Sequence, residues 1–165
     1  MNEELLFYFA ARTQDTLIRH HIQKSGFNKM EYLVMYFINL HPGLTMQSIQ
    51  KRSTFDKAQI SRTIKSLEQA GIIVREPINK KSFALYFTTE GKETYAKLDE
   101  NMLALHEQVW SVFSEAERAQ FLELAAKLYQ AFDDYMIEHE MTEIHSYLQD
   151  WKEEMLIAKY NKKNE

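Results

Sequence analysis

The chain of 165 residues contains no cysteine, two prolines and four glycines. Without cysteine there is no disulfide framework, no thiol redox sensor and no cysteine-based zinc site. So few glycines and prolines leave little material for turns, which favours long helices over a sheet-rich fold. Nowhere do about 18 apolar residues run together, so no membrane span is expected. The opening stretch MNEELLFYFAARTQ is acidic where a secretory leader is basic, and it lacks a small-residue cleavage site. A cytoplasmic location is therefore expected. Catalytic signatures are also missing: there is no glycine-rich phosphate loop, no HExxH and no Gly-x-Ser-x-Gly. The acidic pairs Glu115/Glu117 and Asp133/Asp134 read as helix caps and solvated surface. The histidines at 20, 21, 41, 106, 139 and 145 offer no pair four residues apart on a helix, so neither a resident metal nor a cofactor is expected.

What the chain does have is an apolar fraction of 45%, enough for a packed core, and a net charge of −4 that is unevenly spread. Residues 28–92 carry ten Lys/Arg against five Asp/Glu. The remainder carries ten against nineteen. A basic segment inside an acidic scaffold points to a polyanionic partner for that segment.

The hydrophobic spacing predicts a mainly helical chain. Residues 3–23 form a first helix with Leu5, Phe9, Thr13, Leu17 and Ile22 near one face. Residues 28–41 form a second, with Asn28 as N-cap and Glu31 at the capping-box position. It is apolar nearly all round and should be a buried central helix. His41-Pro42-Gly43 stops it. Thr45 caps a short helix over 46–52, residues 53–55 turn, and Asp56 caps a helix over 57–70 that buries Ile60, Ile64 and Leu67. Gly71 ends that helix. Strands Ile72–Glu76 and Phe83–Thr88 flank a turn over Pro77–Ser82, with Phe83, Leu85 and Phe87 on one face and Ala84 and Tyr86 on the other. Thr88 or Thr89 caps a long helix to about residue 112. Ser114, with Glu117, caps another bearing Phe121, Leu124, Leu128, Phe132 and Tyr135. Met141, Ile144, Leu148, Trp151, Met155 and Ala158 form a heptad seam on a last helix.

Three short helices followed by a two-stranded hairpin are the layout of a winged helix-turn-helix, a DNA-reading module. With Ile60, Ile64 and Leu67 turned inward, Lys57, Gln59, Arg62 and Lys65 are left to address the major groove. Arg and Lys match guanine O6/N7, and Gln matches adenine N6/N7. Thr54 and Ser61 suit phosphates, which fix register. Lys80 and Lys81 sit at the hairpin tip, where they can reach phosphates or a flanking minor groove.

Residues 28–128 resemble the MarR family (multiple antibiotic resistance regulators) of bacterial winged-helix transcription factors. The resemblance lies in Ile60-Ser61-Arg62-Thr63-Ile64-Lys65-Ser66-Leu67-Glu68, in Ala70-Gly71-Ile72-Ile73-Val74-Arg75, and in Phe87-Thr88-Thr89-Glu90-Gly91. These look like the family's recognition helix, its lead into the wing and its lead into the next helix, in the expected order and spacing. The resemblance implies an obligate homodimer with interlocked terminal helices. Two recognition helices would meet successive major-groove turns of a pseudo-palindrome, about 34 Å apart. It also implies a division into 28–92 as the DNA-binding domain and 1–27 with 93–139 as the dimerisation region; the amphipathic helix read from the heptads over 140–165 runs past the usual family end.

The wing departs from the family pattern. Asn79 and Lys81 stand where the family usually carries Asp and Arg, and the wing is about two residues shorter. Lys keeps the charge but lacks the planar fork of Arg, so less sequence preference is expected from the wing. Many similar regulators are released from DNA by phenolic or amphipathic effectors. Tyr8, Phe9, Tyr32, Tyr36, Phe37 and Trp110, with Arg12 and Arg19, are the residue types such a ligand would need, but the sequence assigns no effector site. The expected function is thus a dimeric DNA-binding transcriptional regulator, a repressor, with double-stranded DNA and a small aromatic or amphipathic effector as partners. The competing reading is a helical adaptor that binds protein through the winged helix and the C-terminal heptads.

Overall fold

The computed structural model describes residues 2–51, 53 and 55–141. The expected heptad helix beyond 141 and the expected phosphate contact Thr54 lie outside the described residues. The order is α1 (Glu3–Lys24), α2 (Lys29–Leu40), α3 (Met46–Lys51), α4 (Lys57–Gln69), β1 (Ile73–Asn79), β2 (Ser82–Phe87), α5 (Thr89–Trp110) and α6 (Glu115–Glu138). This is a mainly helical winged helix-turn-helix with one two-stranded antiparallel sheet. No helix among the described residues is long and apolar enough to cross a membrane.

The chain divides into two compact units, Met1–Ile49 with Phe55–Gln108, and Gln50–Thr54 with Val109–Glu165. In the first unit α2 is the central helix, with Val34, Met35, Tyr36, Phe37 and Ile38 all buried. Ile22 from α1, Ile49 from α3, Ile60 and Leu67 from α4, Ile73 and Leu85 from the hairpin, and Leu98 from α5 complete its core. Of the apolar row expected on α1, only Ile22 is buried; Leu5 and Phe9 are half exposed.

Side-chain caps set the helix ends. Asn28 and Glu31 form a full capping box on α2, and the Asp56 carboxylate accepts the Gln59 backbone N–H at 2.8 Å to start α4. Thr45 Oγ1 accepts from the Ser48 N–H at 3.2 Å, and Thr88 Oγ1 from the Gly91 N–H at 2.8 Å. Gly71 leaves α4 at φ +72°, a left-handed conformation that favours glycine.

The hairpin differs from its expected form in length. The strands run to Asn79 and from Ser82, so only Lys80 and Lys81 turn between them. Ile78 is bulged out between the pairs Pro77↔Phe83 and Asn79↔Ser82. Asn79 Oδ1 accepts the Lys81 N–H at 2.9 Å and closes the turn, a task Asn side chains suit. Burial along β2 follows distance from the tip as much as face. Ala84 and Leu85 are both buried while Phe83 is exposed. The reason is a short third segment: Thr45 bridges to Ala84, and Gly43 and Leu44 exchange backbone hydrogen bonds with Leu85 at 2.9 and 3.0 Å.

The second unit contains the α5–α6 elbow. Trp110 packs edge-on to Phe121, with ring centroids 5.2 Å apart, and its carbonyl accepts from Arg118 Nε at 3.1 Å. The Ser114/Glu117 capping box starts α6 as expected. Along α6, Leu124, Leu128, Phe132 and Tyr135 remain exposed.

Candidate nucleic-acid interface

Helix α4 buries Ile60, Thr63, Ile64 and Leu67. At 3.6 residues per turn, the line opposite that buried side is Ala58, Arg62, Lys65 and Gln69. All four are exposed. Two contacts identify the flanks. Ser66 donates to Glu31 Oε1 at 2.7 Å, so Gln59 and Ser66 lie on the α2 side. Glu68 pairs with Arg75 of β1 at 3.0 Å, so Ser61 and Glu68 lie on the wing side. The orientation of α4 is thus pinned from both directions, by one neutral-to-charged hydrogen bond and one ion pair.

Of the residues singled out from sequence, Arg62 and Lys65 take the centre of the outward face. Gln59 sits on its α2 flank, and Lys57 and Ser61 sit towards the wing. Lys80 and Lys81 form the exposed hairpin tip. Among the described residues Lys57, Arg62, Lys65, Lys80 and Lys81 have no ion-pair partner, so their charge is available to a polyanion. Two outward residues escaped the sequence reading. Ala58 and Gln69 complete the central line of the exposed face.

A second group was not foreseen. Arg19 of α1, Asn28, Lys29 and Met30 at the start of α2, Phe55, and Gln59, Arg62 and Thr63 of α4 line an open cleft of about 400 Å³. Asp15 bridges its cations: one oxygen accepts from Arg19 Nε at 2.8 Å, the other from Lys29 Nζ. The hydrogen bond from Lys29 is the largest influence; with the Arg19 hydrogen bond and both positive charges it outweighs desolvation, the second largest, and holds the Asp15 carboxyl below the usual carboxylate range. The sequence signals were a Lys immediately after an N-cap and the i,i+4 pair Asp15/Arg19, each unremarkable by itself.

The residues considered for an effector include two local groups, Tyr32 beside Tyr36 on α2 and Arg12 over the Tyr8 ring on α1. Tyr36 and Phe37 are core, Tyr8 and Phe9 are exposed on α1, and Trp110 belongs to the elbow. Tyr32 and Tyr95 both donate to Asp99 Oδ1, at 3.4 and 3.3 Å, and their rings stack between α2 and α5. Burial, then the Asp99 charge, raises the pKa of both phenols, so they stay protonated donors. A cleft of about 530 Å³ does lie beside them, where Tyr86, Phe87, Tyr95 and Leu103 meet Lys92, Asp99 and Glu100.

Comparison with known proteins agrees with this geometry. The MarR family profile matches residues 25–80, from the turn before α2 through the wing tip. The putative transcriptional regulatory protein for the hcr operon of Thauera aromatica is 25% identical over 101 residues, covering 60% of this chain and 61% of that protein. The chain thus spans about three fifths of that relative. The crystal structure of apo MarR from E. coli has a TM-score of 0.66 at 18% identity, covering 78% of this chain and 97% of that one. The S. aureus MepR–DNA complex gives 0.68 at 16% identity, covering 80% and 98%. Family profile, outward face of α4 and bulged basic hairpin agree: residues 25–80 match the MarR family, and the chain shares the winged helix-turn-helix fold of the solved MarR and MepR structures.

Proposed function

We propose that this protein binds a pseudo-palindromic operator as a homodimer and represses transcription until a small-molecule effector releases it. The observation that carries the reading is the outward face of α4, whose Arg62 and Lys65 have no ion-pair partner among the described residues, beside a wing tip made of two lysines. Arg62, Lys65, Gln59 and Lys57 read the major groove; Thr54 and Ser61 hold phosphates; Lys80 and Lys81 reach the flanking backbone. Residues 28–92 do the reading, and 1–27 with 93–139 hold two copies together. The exposed apolar residues Leu5, Leu6, Phe7 and Phe9 of α1, and Leu124, Leu128 and Phe132 of α6, supply the surface a second copy would cover. A dimer doubles the positive segment and keeps the acidic helices paired away from the nucleic acid. The 530 Å³ cleft beside Tyr95 and Asp99 is large enough for a small aromatic effector.

Arg62→Ala tests the orientation of α4. It should cost about 1–3 kcal/mol on a specific duplex and relax preference at one base position, whereas Lys80→Ala should weaken all sequences alike and flatten the salt slope. Unchanged binding by Arg62→Ala would refute the assigned face. The adaptor reading draws on the same exposed stripes. It predicts protein binding that barely responds to salt, where DNA binding falls steeply through counterion release.

A further inference from the structure

A helix lying in the major groove is bordered by two phosphate backbones, one on each side. On one flank of α4 the basic residues come from the wing. On the other flank the structure places the cleft formed by Arg19, Asn28, Lys29, Gln59 and Arg62. We propose that this cleft is a phosphodiester-binding site for the DNA backbone, and that Asp15 is its internal counter-ion, holding Arg19 and Lys29 in place and tempering the affinity. The inference rests on the DNA-binding reading above and adds a contact surface outside the recognition helix and wing.

Four features support it. The cations come from three helices, Arg19 from α1, Lys29 from α2 and Arg62 from α4, so the cluster is built by the fold and not by one surface run. One carboxylate is shared between two of them: both Asp15 oxygens are engaged, and a net positive charge remains beside Arg62. Lys29 and Arg19 keep 41% and 56% of their side-chain surface, so a phosphate can reach them without displacing core. The cleft is also continuous with the outward face of α4, because Gln59 and Arg62 belong to both. The Glu31 carboxylate, the other acid near this end of α2, is occupied by the Asn28 N–H and the Ser66 hydroxyl. Phe55 and Met30 supply the apolar part of the lining, against which an ion is less well hydrated and each charge-assisted bond counts for more.

The test is a set of DNA titrations by fluorescence anisotropy, across a range of salt, on an enriched duplex and on a scrambled one. The wild-type chain is compared with Lys29→Ala, Asp15→Asn and Arg62→Ala, with thermal melts recorded for each. Lys29→Ala should weaken both duplexes by a similar factor and lower the salt slope by about two per dimer, one phosphate per protomer. Asp15→Asn should do the opposite, tightening both and steepening the slope. A purely structural role for the Asp15 cluster predicts one direction for both variants, a lower melting temperature with weaker binding, and that result overturns the proposal. If the wild type binds and Arg62→Ala weakens it while Lys29→Ala and Asp15→Asn change nothing, the cleft is refuted and the regulator reading stands. If the wild type binds no duplex, both fall together.

Discussion

At the residue scale, single atoms decide where the module can bend and what it can present. Gly91 opens α5 against the backbone of Ile72, and a Cβ built there would lie 1.9 Å from the Ile72 carbonyl oxygen. That oxygen also accepts from the Thr88 N–H at 3.0 Å, so it cannot retreat without losing a hydrogen bond. Gly91→Ala should therefore destabilise the fold by about 1–3 kcal/mol or more, as overpacking does, readable in chemical denaturation. A smaller loss would mean that α5 shifts freely over the hairpin. The sequence showed a glycine at the right place for the start of a helix; the close approach that demands it involves a residue nineteen positions earlier and was hidden. Asn79 is a similar case. Read against the family pattern, it stood where an Asp steadies an Arg, but here it accepts the Lys81 backbone N–H and steadies the turn.

At the element scale, what could be read in advance was local. Asn28 with Glu31, Asp56 with the Gln59 N–H, and Ser114 with Glu117 cap the helices they were expected to cap, because a cap needs only residues three apart. The strand lengths, the Ile78 bulge and the pairing of Gly43–Thr45 with β2 depend on distant partners, and the alternation in β2, which assigns faces, carries no information on why Ala84 is buried and Phe83 exposed. The cleft between α1, α2 and α4 was invisible for the same reason: Asp15 and Lys29 are fourteen residues apart and meet only when two helices pack. Their pairing has a pH signature. Folding lowers the Asp15 pKa, chiefly through the Lys29 hydrogen bond, so the unfolded chain takes up the proton first as pH falls. The contribution is complete above the unfolded value of about 3.9 and is lost as pH drops through the lower folded value. Melting temperatures between about pH 5 and 2 should fall less steeply for Asp15→Asn than for the wild-type chain. Equal slopes would show that the pair contributes nothing to the packing of α1 on α2.

At the scale of the whole molecule, the charge split was plain from sequence and the exposed apolar stripes were not. In the row Phe121, Leu124, Leu128, Phe132 and Tyr135 of α6, Leu124, Phe132 and Tyr135 are more than half exposed in one chain. Such a row needs a partner. If two copies pair through α6 as proposed, Phe132→Glu should leave the protein monomeric in sedimentation without unfolding the winged helix, and should abolish binding to the proposed pseudo-palindrome because two half-sites are then no longer joined. A dimer that survives this change would move the interface elsewhere. Selection from random duplex DNA by the purified protein at moderate salt reaches furthest. Enrichment of a pseudo-palindrome with half-sites about one helical turn apart is the expected result. Retention of all sequences alike, released evenly by salt, would contradict a sequence-reading dimer.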